Sequence, residues 1–263
     1  MQYHIIDAFT DQPFKGNPAA VCLVDQWPNE ALMQNIAAEF NLSETVFAMP
    51  KAKGEWDIRW FTPTTEVDLC GHATLATAAV LFAEHKDLHT IHFHSRSGVL
   101  EVTQGSYGIQ LGFPKQDQRH SLSPEGWPNL DPLAIVDCWD AHDDVIIEVT
   151  EASPLATWKP NLPEIARLHC RGVAITSPDP DGAFDFISRF FAPRSGVPED
   201  PVTGSSFCKL APLWSERLKK SKLKAFQASA RGGVVELEVT SHEVFIRGHA
   251  VKVAEGTLSW EGQ

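Results

Sequence analysis

The sequence predicts an α+β fold of two pseudo-symmetric halves, each a curved β-sheet or barrel wrapped around a central buried helix. Two observations carry this prediction. Blocks of sequence recur in the same order at an offset of about 130 residues, and each half alternates helical periodicity with short β segments. The expected domains are residues 1–113 and residues 114–263, with the C-terminal strand free to cross over to the first half. An active-site cleft is expected between the halves.

The repeat is clearest around an arginine followed by aromatic residues. The segment Arg59–Val67 matches the segment Arg189–Val197, with Arg, Phe, Pro and Val in register. Residues 98–102 resemble residues 233–237 in the same order along the chain. Ordered matches in several blocks indicate a duplicated plan. The alternative is two unrelated domains whose strands match by coincidence, because strand patterns are degenerate.

The elements of the first half follow from periodicity. Leu32, Ile36 and Phe40 form one apolar stripe, which predicts an amphipathic helix that ends at Asn41. A second helix begins at His72 and is apolar on nearly every side, so it is expected inside the protein, enclosed by sheet. The strands are expected at residues 45–48, 56–61, 98–102 and 107–111, and in the second half at residues 234–239 and 243–247.

Composition and charge exclude several classes of partner. The chain has 263 residues, 43% of them hydrophobic and 21% charged, as in ordinary globular proteins. Lys and Arg number 22 against 34 Asp and Glu, which gives a formal net charge of −12. Nucleic acids and anionic membranes both favour clustered basic residues, so neither is expected as a partner. The negative charge does not exclude a small anionic molecule as a ligand, because a local group of N–H donors can bind it.

Cysteine usage and the N-terminal segment predict a cytoplasmic protein. The odd number of cysteines and the lack of a C-x-x-C pair argue against disulfides and a zinc ribbon. The N-terminus lacks the basic region of a secretory signal. The longest uncharged stretch, Leu69–Ala83, is shorter than the roughly 20 residues of a membrane helix. No carboxylate–histidine grouping has familiar zinc spacing, so no metal site is expected. The cysteines are Cys22, Cys70, Cys138, Cys170 and Cys208.

Two helix N-termini are candidate anion sites. Glycine stands at each of them, Gly71 before His72 and Gly204 before Ser205. Unpaired N–H groups and a partial positive charge favour an anion at such a position, and glycine lets a ligand approach the backbone closely. We expect the two N-termini to converge on one carboxylate-bearing molecule. The alternative is that both are ordinary turn glycines.

Three side chains near these segments can move protons. His72 begins its helix, where the helix dipole is expected to lower its pKa and favour neutral imidazole. Asp200 precedes the second helix and is a candidate proton-transfer group, or alternatively a cap. Glu44 begins an apolar strand, where partial loss of hydration suits a carboxylate to accept and donate protons. An exposed glutamate at a strand edge is the alternative for Glu44.

At this point the sequence resembles the phenazine-biosynthesis PhzF-like proteins, which have the diaminopimelate-epimerase-type fold. The resemblance spans nearly the whole chain and rests on five motifs in order. Each is weak by itself, but their order and spacing are specific. The motifs lie at residues 7–10, 14–21, 41–47, 70–74 and 199–205, and include Asp7-Ala-Phe-Thr10, Cys70-Gly-His72-Ala-Thr74 and Glu199-Asp200-Pro-Val-Thr-Gly-Ser205.

The resemblance implies an isomerase that works as a homodimer, without metal or organic cofactor. In this family a glutamate shuttles a proton between carbon atoms of a small cyclic amino acid. The match places the proton shuttle on Glu44 and substrate contacts on His72, Asp200 and Ser205. Gly71 and Gly204 lie where the family offers backbone donors. The chain is short for the family between residues 114 and 137.

Two further functions stay open at this stage. Diaminopimelate epimerases and proline racemases place a thiol at each helix N-terminus. Here Cys70 has Thr203 as its counterpart, whose hydroxyl is too weak an acid to be the paired base. A racemase or epimerase that uses Cys70 is therefore the alternative within enzymes. A non-catalytic protein that binds an amino-acid-like metabolite is the alternative from another class.

Overall fold

The computed structural model describes residues 1–123, 125, 127–150, 152–179 and 181–259. The helices are α1 (Glu30–Phe40), α2 (Gly71–Glu84), α3 (Ala152–Thr157), α4 (Leu162–Ile165) and α5 (Gly204–Leu218), and a 3₁₀ turn spans Pro193–Ser195. The strands are β1 (Gln2–Ala8), β2 (Asn17–Leu23), β3 (Glu44–Ala52), β4 (Glu55–Phe61), β5 (Glu66–Val67), β6 (Thr90–Ser95), β7 (Gly98–Gly105), β8 (Gly108–Pro114), β9 (His120–Ser121), β10 (Ile135–Ala141), β11 (Asp144–Val149), β12 (Gly172–Pro178), β13 (Phe186–Ala192), β14 (Val197–Asp200), β15 (Lys222–Gln227), β16 (Gly233–Val239), β17 (Glu243–Gly248) and β18 (Ala250–Thr257).

The chain forms two compact units. Unit 1 contains Met1–Gly112 together with Arg247–Gln263, and unit 2 contains Phe113–Ile246. The C-terminal strand β18 belongs to unit 1 because it pairs antiparallel with β1 along its length. The mixed α+β class that the sequence predicted is confirmed.

The sheet of unit 1 combines parallel and antiparallel pairs. Strand β2 is parallel to β3 and antiparallel to β1. Strand β4 is antiparallel to β3 and parallel to β6, and β6, β7 and β8 follow as antiparallel neighbours. Each parallel pair is connected through a helix that crosses over between its strands. Helix α1 connects β2 to β3, and α2 lies between β4 and β6 in the sequence.

Helix α2 is the buried helix of unit 1, as its apolar sequence predicted. Residues 72–78 and 80–82 are buried, and the helix packs against β1, β2, β3, β7 and β18. The hydroxyls of Thr74 and Thr77 donate to the carbonyls of Cys70 and Ala73 one turn earlier. Those bonds satisfy the two threonine hydroxyls, so this part of the helix can be buried on nearly every side.

Helix α1 packs on β3 and β4. Its N-cap Asn29 accepts a hydrogen bond from the Leu32 amide. The predicted end of the helix at Asn41 is confirmed: this residue has φ 49°, a left-handed conformation that asparagine tolerates well. Met33 and Ile36 pack below the helix on Phe47 and Phe61.

The strands of unit 2 pair in the same order of parallel and antiparallel neighbours as the strands of unit 1. Strand β11 is parallel to β12 and antiparallel to β10. Strand β13 is antiparallel to β12 and parallel to β15, and β15 is antiparallel to β16. The short strand β14 pairs with β13 as the short β5 pairs with β4.

Helix α5 of unit 2 continues through Pro212. Proline has no N–H, so the carbonyl of Cys208, four residues earlier, loses its usual helical donor. The amide of Gln116 donates to that carbonyl instead, at 3.1 Å. A loop outside the helix thus supplies the missing bond, and the helix packs on β15 and β16. None of the described helices is long and apolar enough to span a membrane.

Candidate active site

Glu44 is placed by the parallel pairing of two strands. It is the first residue of β3 and lies opposite Ala19 of β2. Its side chain is 17% exposed, so the carboxylate is largely removed from water and still reaches the surface. The sequence left burial and a strand edge as alternatives for this residue, and the observed position is mostly buried.

The imidazole of His72 lies beside Glu44. His72 is the second residue of α2 and is 5% exposed, and its Nε2 is 3.0 Å from Oε2 of Glu44. Among the described residues neither of these two atoms has a well-aligned hydrogen bond. The short separation therefore reports an electrostatic contact, which a small rotation of the carboxylate would convert into a hydrogen bond.

The other imidazole nitrogen faces a thiol. Nδ1 of His72 lies 3.4 Å from Sγ of Cys70, the N-cap residue of α2. The amide nitrogen of Asn17, the first residue of β2, also lies 3.4 Å from Nδ1. Asn17 is fully buried. Sequence reasoning assigned it no role, although it stands in one of the five family motifs.

The protonation of His72 differs from the sequence-based expectation. Burial by itself would lower the pKa of His72, but the acidic partners at its two nitrogens, Cys70 and Glu44, raise the pKa well above the usual value. The expectation of a lowered pKa and a neutral imidazole is therefore wrong. It considered only the helix dipole, whose influence is weaker than that of an adjacent buried carboxylate.

The pKa of the Cys70 thiol is also raised. Burial raises the pKa of Cys70, and the neighbouring Glu44 carboxylate raises it further, against smaller opposing contributions from His72 and the Ala73 amide. Oxygen, sulfur and nitrogen atoms of Glu44, Cys70 and His72 all lie within 4.8 Å of one another, a set that could ligate a metal. The imidazole turns Nε2 to Glu44 and Nδ1 to Cys70.

The second glycine-led N-terminus, that of α5, lies in unit 2. Thr203 is its N-cap residue, and the Thr203 hydroxyl donates to Oδ2 of Asp200 at 2.6 Å. Gln227, fully buried in β15, accepts from the Thr203 amide at 2.9 Å and donates to the Asp200 carbonyl at 2.8 Å. Gln227 thus fixes the segment before Gly204. The sequence offered no signal for it, because it lies 24 residues beyond Thr203.

A buried charge cluster lies next to Ser205. Lys209, 2% exposed, donates to Oδ2 of the fully buried Asp144 at 2.5 Å, and also to Asp143. Arg171 donates to the same oxygen of Asp144 at 2.5 Å and to the Ser205 hydroxyl at 3.1 Å. The structure therefore groups Asp200, Gly204 and Ser205 at one end of α5, with Arg171 as a charged neighbour that sequence reasoning missed.

A cavity of about 1470 Å³ lies elsewhere in unit 1. Its lining includes Trp27, Trp56 and His85, but not Glu44, Cys70 or His72. The three groups that can transfer protons in this unit therefore do not line its large cavity.

Comparison with known protein families places this fold and these residues in context. The family described as phenazine biosynthesis-like protein (PhzC-PhzF) matches residues 6–256. An uncharacterized isomerase from Halalkalibacterium halodurans is 41% identical over 261 residues, covering 97% of each chain. An uncharacterized isomerase from Pseudomonas aeruginosa is 43% identical over 255 residues, covering 96% of each chain.

Solved structures agree with the family match. A PhzF-family protein from Enterococcus faecalis superposes with a TM-score of 0.91 at 39% identity, covering 98% of this chain and 99% of the other. A hydroxyproline epimerase from Agrobacterium vitis superposes with a TM-score of 0.62 at 10% identity, covering 97% and 91%. At that identity the second likeness concerns the fold alone.

Proposed function

This chain belongs to the phenazine biosynthesis-like (PhzC-PhzF) family, and we propose that it is an isomerase. The proposed reaction moves a proton between carbon atoms of a small carboxylate-bearing metabolite, amino-acid-like or cyclic, with Glu44 as the general acid and base. The observation that carries the proposal is the contact of the partly buried Glu44 carboxylate with the buried His72 imidazole. The isomerase names of the bacterial relatives support the reaction class.

The chemistry follows from the charges at Glu44 and His72. The raised pKa of His72 places a positive charge beside Glu44, and in the proposed reaction the Glu44 carboxylate accepts the proton. A proton on a carbon next to a carboxylate would pass to Glu44 and be returned to a carbon of the resulting carbanion. The imidazolium also offers an N–H toward negative charge that develops on the substrate.

Substrate contacts are part of the proposal. The backbone amides of Gly71 and Gly204, each the first residue of a helix, have no partner within their helices and are suited to a carboxylate. The Ser205 hydroxyl and the Asp200 carboxylate are proposed to orient polar or amino substituents. The proposed reaction uses side chains and amides of this chain. Homodimer formation and a cytoplasmic location also stay predictions.

The experiment is a deuterium-exchange screen in D₂O with a panel of cyclic and acyclic α-amino acids. The wild type should introduce deuterium at carbon into at least one of them, and Glu44→Gln should reduce this by about 100-fold or more. Glu39→Gln, an exposed glutamate on α1, is the matched control and should behave as the wild type. An active Glu44→Gln variant would rule out the assigned role. Tight binding without exchange in the wild type would favour the non-catalytic binding protein.

A further inference from the structure

Glu44, Cys70 and His72 bring three kinds of metal ligand together in unit 1. A carboxylate oxygen, the thiol sulfur and an imidazole nitrogen of these residues all lie within 4.8 Å of one another. Within the part of the chain that the structure describes, this is the one group of three or more such side chains at that spacing. The sequence did not indicate it, because Glu44 lies on a different element from the other two residues.

We propose that these three residues form a Zn²⁺ site, and that the bound ion inhibits the protein by occupying its proton-transfer carboxylate. The metal site is independent of the function proposed above, whereas the inhibition rests on that function. Zn²⁺ is here an inhibitor of the proposed isomerase and not its cofactor.

Unsatisfied buried atoms at this group support a bound ion. His72 is 5% exposed and Cys70 is 8% exposed. Neither Nε2 of His72 nor Oε2 of Glu44 has a well-aligned hydrogen-bond partner among the described residues. Buried polar atoms are normally hydrogen-bonded, and coordination of a metal is another way to compensate them. The Glu44 side chain is still partly exposed, so an ion can reach the group from solvent.

The spacing is close to that of a tetrahedral zinc site. Zinc binds sulfur at about 2.3 Å and nitrogen or oxygen at about 2.0–2.2 Å, so neighbouring ligand atoms are about 3.3–3.6 Å apart. Nε2 of His72 lies 3.0 Å from Oε2 of Glu44, and Nδ1 lies 3.4 Å from Sγ of Cys70. An ion takes only one nitrogen of an imidazole, so the partner of the other nitrogen must turn toward the ion. Because the three ligand atoms are already within 4.8 Å of one another, a side-chain rotation brings that partner within reach.

The chemistry of the three ligands favours zinc over magnesium or calcium. Thiolate and imidazole suit zinc, whereas magnesium and calcium prefer oxygen ligands. On binding, the S–H bond of Cys70 breaks, its proton passes to solvent and the sulfur bonds to the ion, while the imidazole binds as the neutral base. One carboxylate and one thiolate then balance the two charges of the ion, so the buried complex is neutral. Three protein ligands leave the fourth position of the ion for water.

The bound ion would block the proposed proton transfer. A Glu44 oxygen that is bonded to Zn²⁺ has its lone pair engaged and is a weaker base toward a substrate carbon. The ion also lies where the substrate would have to approach the carboxylate. Activity should therefore fall as the site fills and return when EDTA removes the ion.

The first measurement is metal binding by the whole protein without substrate. Isothermal titration calorimetry with Zn²⁺ should show one tight site per chain, and Co²⁺ in its place should give the near-ultraviolet absorption of a cobalt–thiolate bond. Removal of a direct ligand should exceed the effect of removing its supporting groups, so Glu44→Gln and Cys70→Ser should each weaken Zn²⁺ binding by about 100-fold or more. Cys70→Ser should also abolish the cobalt–thiolate absorption. If a variant does not fold, the cobalt spectrum of the wild type decides.

Two variants are matched controls. His94 makes an equally short contact with a glutamate, 3.0 Å between its Nε2 and Oε2 of Glu55, but no third ligand joins them among the described residues. Cys208 is a buried thiol whose sulfur lies near the Gly204 carbonyl. His94→Gln and Cys208→Ala should bind Zn²⁺ as tightly as the wild type and keep the cobalt–thiolate absorption.

Two binding results would overturn the metal site. One is a wild-type Co²⁺ complex without thiolate absorption, and the other is Zn²⁺ binding that is unchanged in both Glu44→Gln and Cys70→Ser. Neither result depends on finding a substrate.

The inhibition is tested on an amino acid that exchanges in the D₂O screen. Zn²⁺ should abolish its exchange and EDTA should restore it. Tight Zn²⁺ binding with full-rate exchange would overturn the inhibition and the role of Glu44, and leave the metal site in place. A wild type that exchanges none of the panel would overturn the proposed function, and the binding measurements would still decide the metal site.

Discussion

Glu44 at the start of β3 and His72 at the start of α2 are brought to 3.0 Å between Oε2 and Nε2. Neither element places its residue there by itself. The parallel pairing of β2 with β3 positions the carboxylate, and the packing of α2 on both strands positions the imidazole.

This pair predicts how stability changes with pH. The pKa of His72 is raised in the folded state, so its contribution to the free energy of unfolding is complete below the unfolded value, about pH 6.5. It declines as the pH rises toward the folded pKa and is lost above it. Urea unfolding of the wild type and of His72→Gln should give curves whose difference shrinks from about pH 6.5 upward. A constant difference between pH 6 and pH 8.5 would contradict the raised pKa.

The repeated arginines predict unequal losses of stability. Arg59 and Glu66 form a two-bond ion pair with distances of 2.6 and 2.7 Å, and Arg189 and Glu199 form one with distances of 2.7 and 2.9 Å. The Arg189 side chain is only 8% exposed, against 21% for Arg59, and it also donates to two backbone carbonyls. Arg189→Met should cost about 3–5 kcal/mol of unfolding free energy and Arg59→Met clearly less. Equal losses would show that burial does not set the difference.

Gln227 predicts a local effect at the N-terminus of α5. Gln227→Ala would leave the buried amide of Thr203 without its acceptor, at a cost of about 1–3 kcal/mol. Hydrogen exchange at the Thr203 amide should accelerate more than global unfolding explains. Gln227→Glu keeps the acceptor, so it should protect that amide better than alanine does. Unchanged exchange in Gln227→Ala would mean that another group holds the segment.

Lys209 and Asp144 predict strongly non-additive mutations. Both are buried, so Lys209→Met leaves a buried Asp144 carboxylate whose remaining ion-pair partner among the described residues is Arg171. This should cost about 3–5 kcal/mol. The double variant Lys209→Met/Asp144→Asn removes both charges. It should lose clearly less stability than the sum of the single variants, as measured by denaturant unfolding. Additive losses would argue against a direct interaction.

Ser205 predicts an effect on substrate affinity. Its hydroxyl is exposed and accepts a hydrogen bond from Arg171. On a substrate found by the exchange screen, Ser205→Ala should raise KM by about 10-fold with little change in kcat. Its neighbour Ser206 is buried and donates to the Thr203 carbonyl. Ser206→Ala should therefore reduce stability and leave KM near the wild-type value. The opposite pattern would remove Ser205 from the proposed substrate contacts.

Local sequence patterns determined the α+β class, the bounds of α1 near Asn41 and the burial of α2. These properties depend on neighbours within a few turns of helix or residues of strand, so periodicity and end signals report them directly. The same patterns offered Glu44 and His72 as candidates, and the family resemblance placed the proton shuttle on Glu44. The repeat located Arg59 and Arg189, and in the structure each makes an ion pair with a glutamate in the next strand.

Only the tertiary structure decided which groups touch. Several residues of the two N-terminal segments are recognised only by their contacts with residues far away in the sequence. These are Asn17, Gln227, Arg171 and the Lys209–Asp144 pair. The protonation of His72 was reversed for the same reason. A helix dipole can be inferred from the residue's own position in α2, whereas a carboxylate at one nitrogen and a thiol at the other depend on how strands and helix pack. Long-range contacts set the charges of the site, and a local pattern does not encode them.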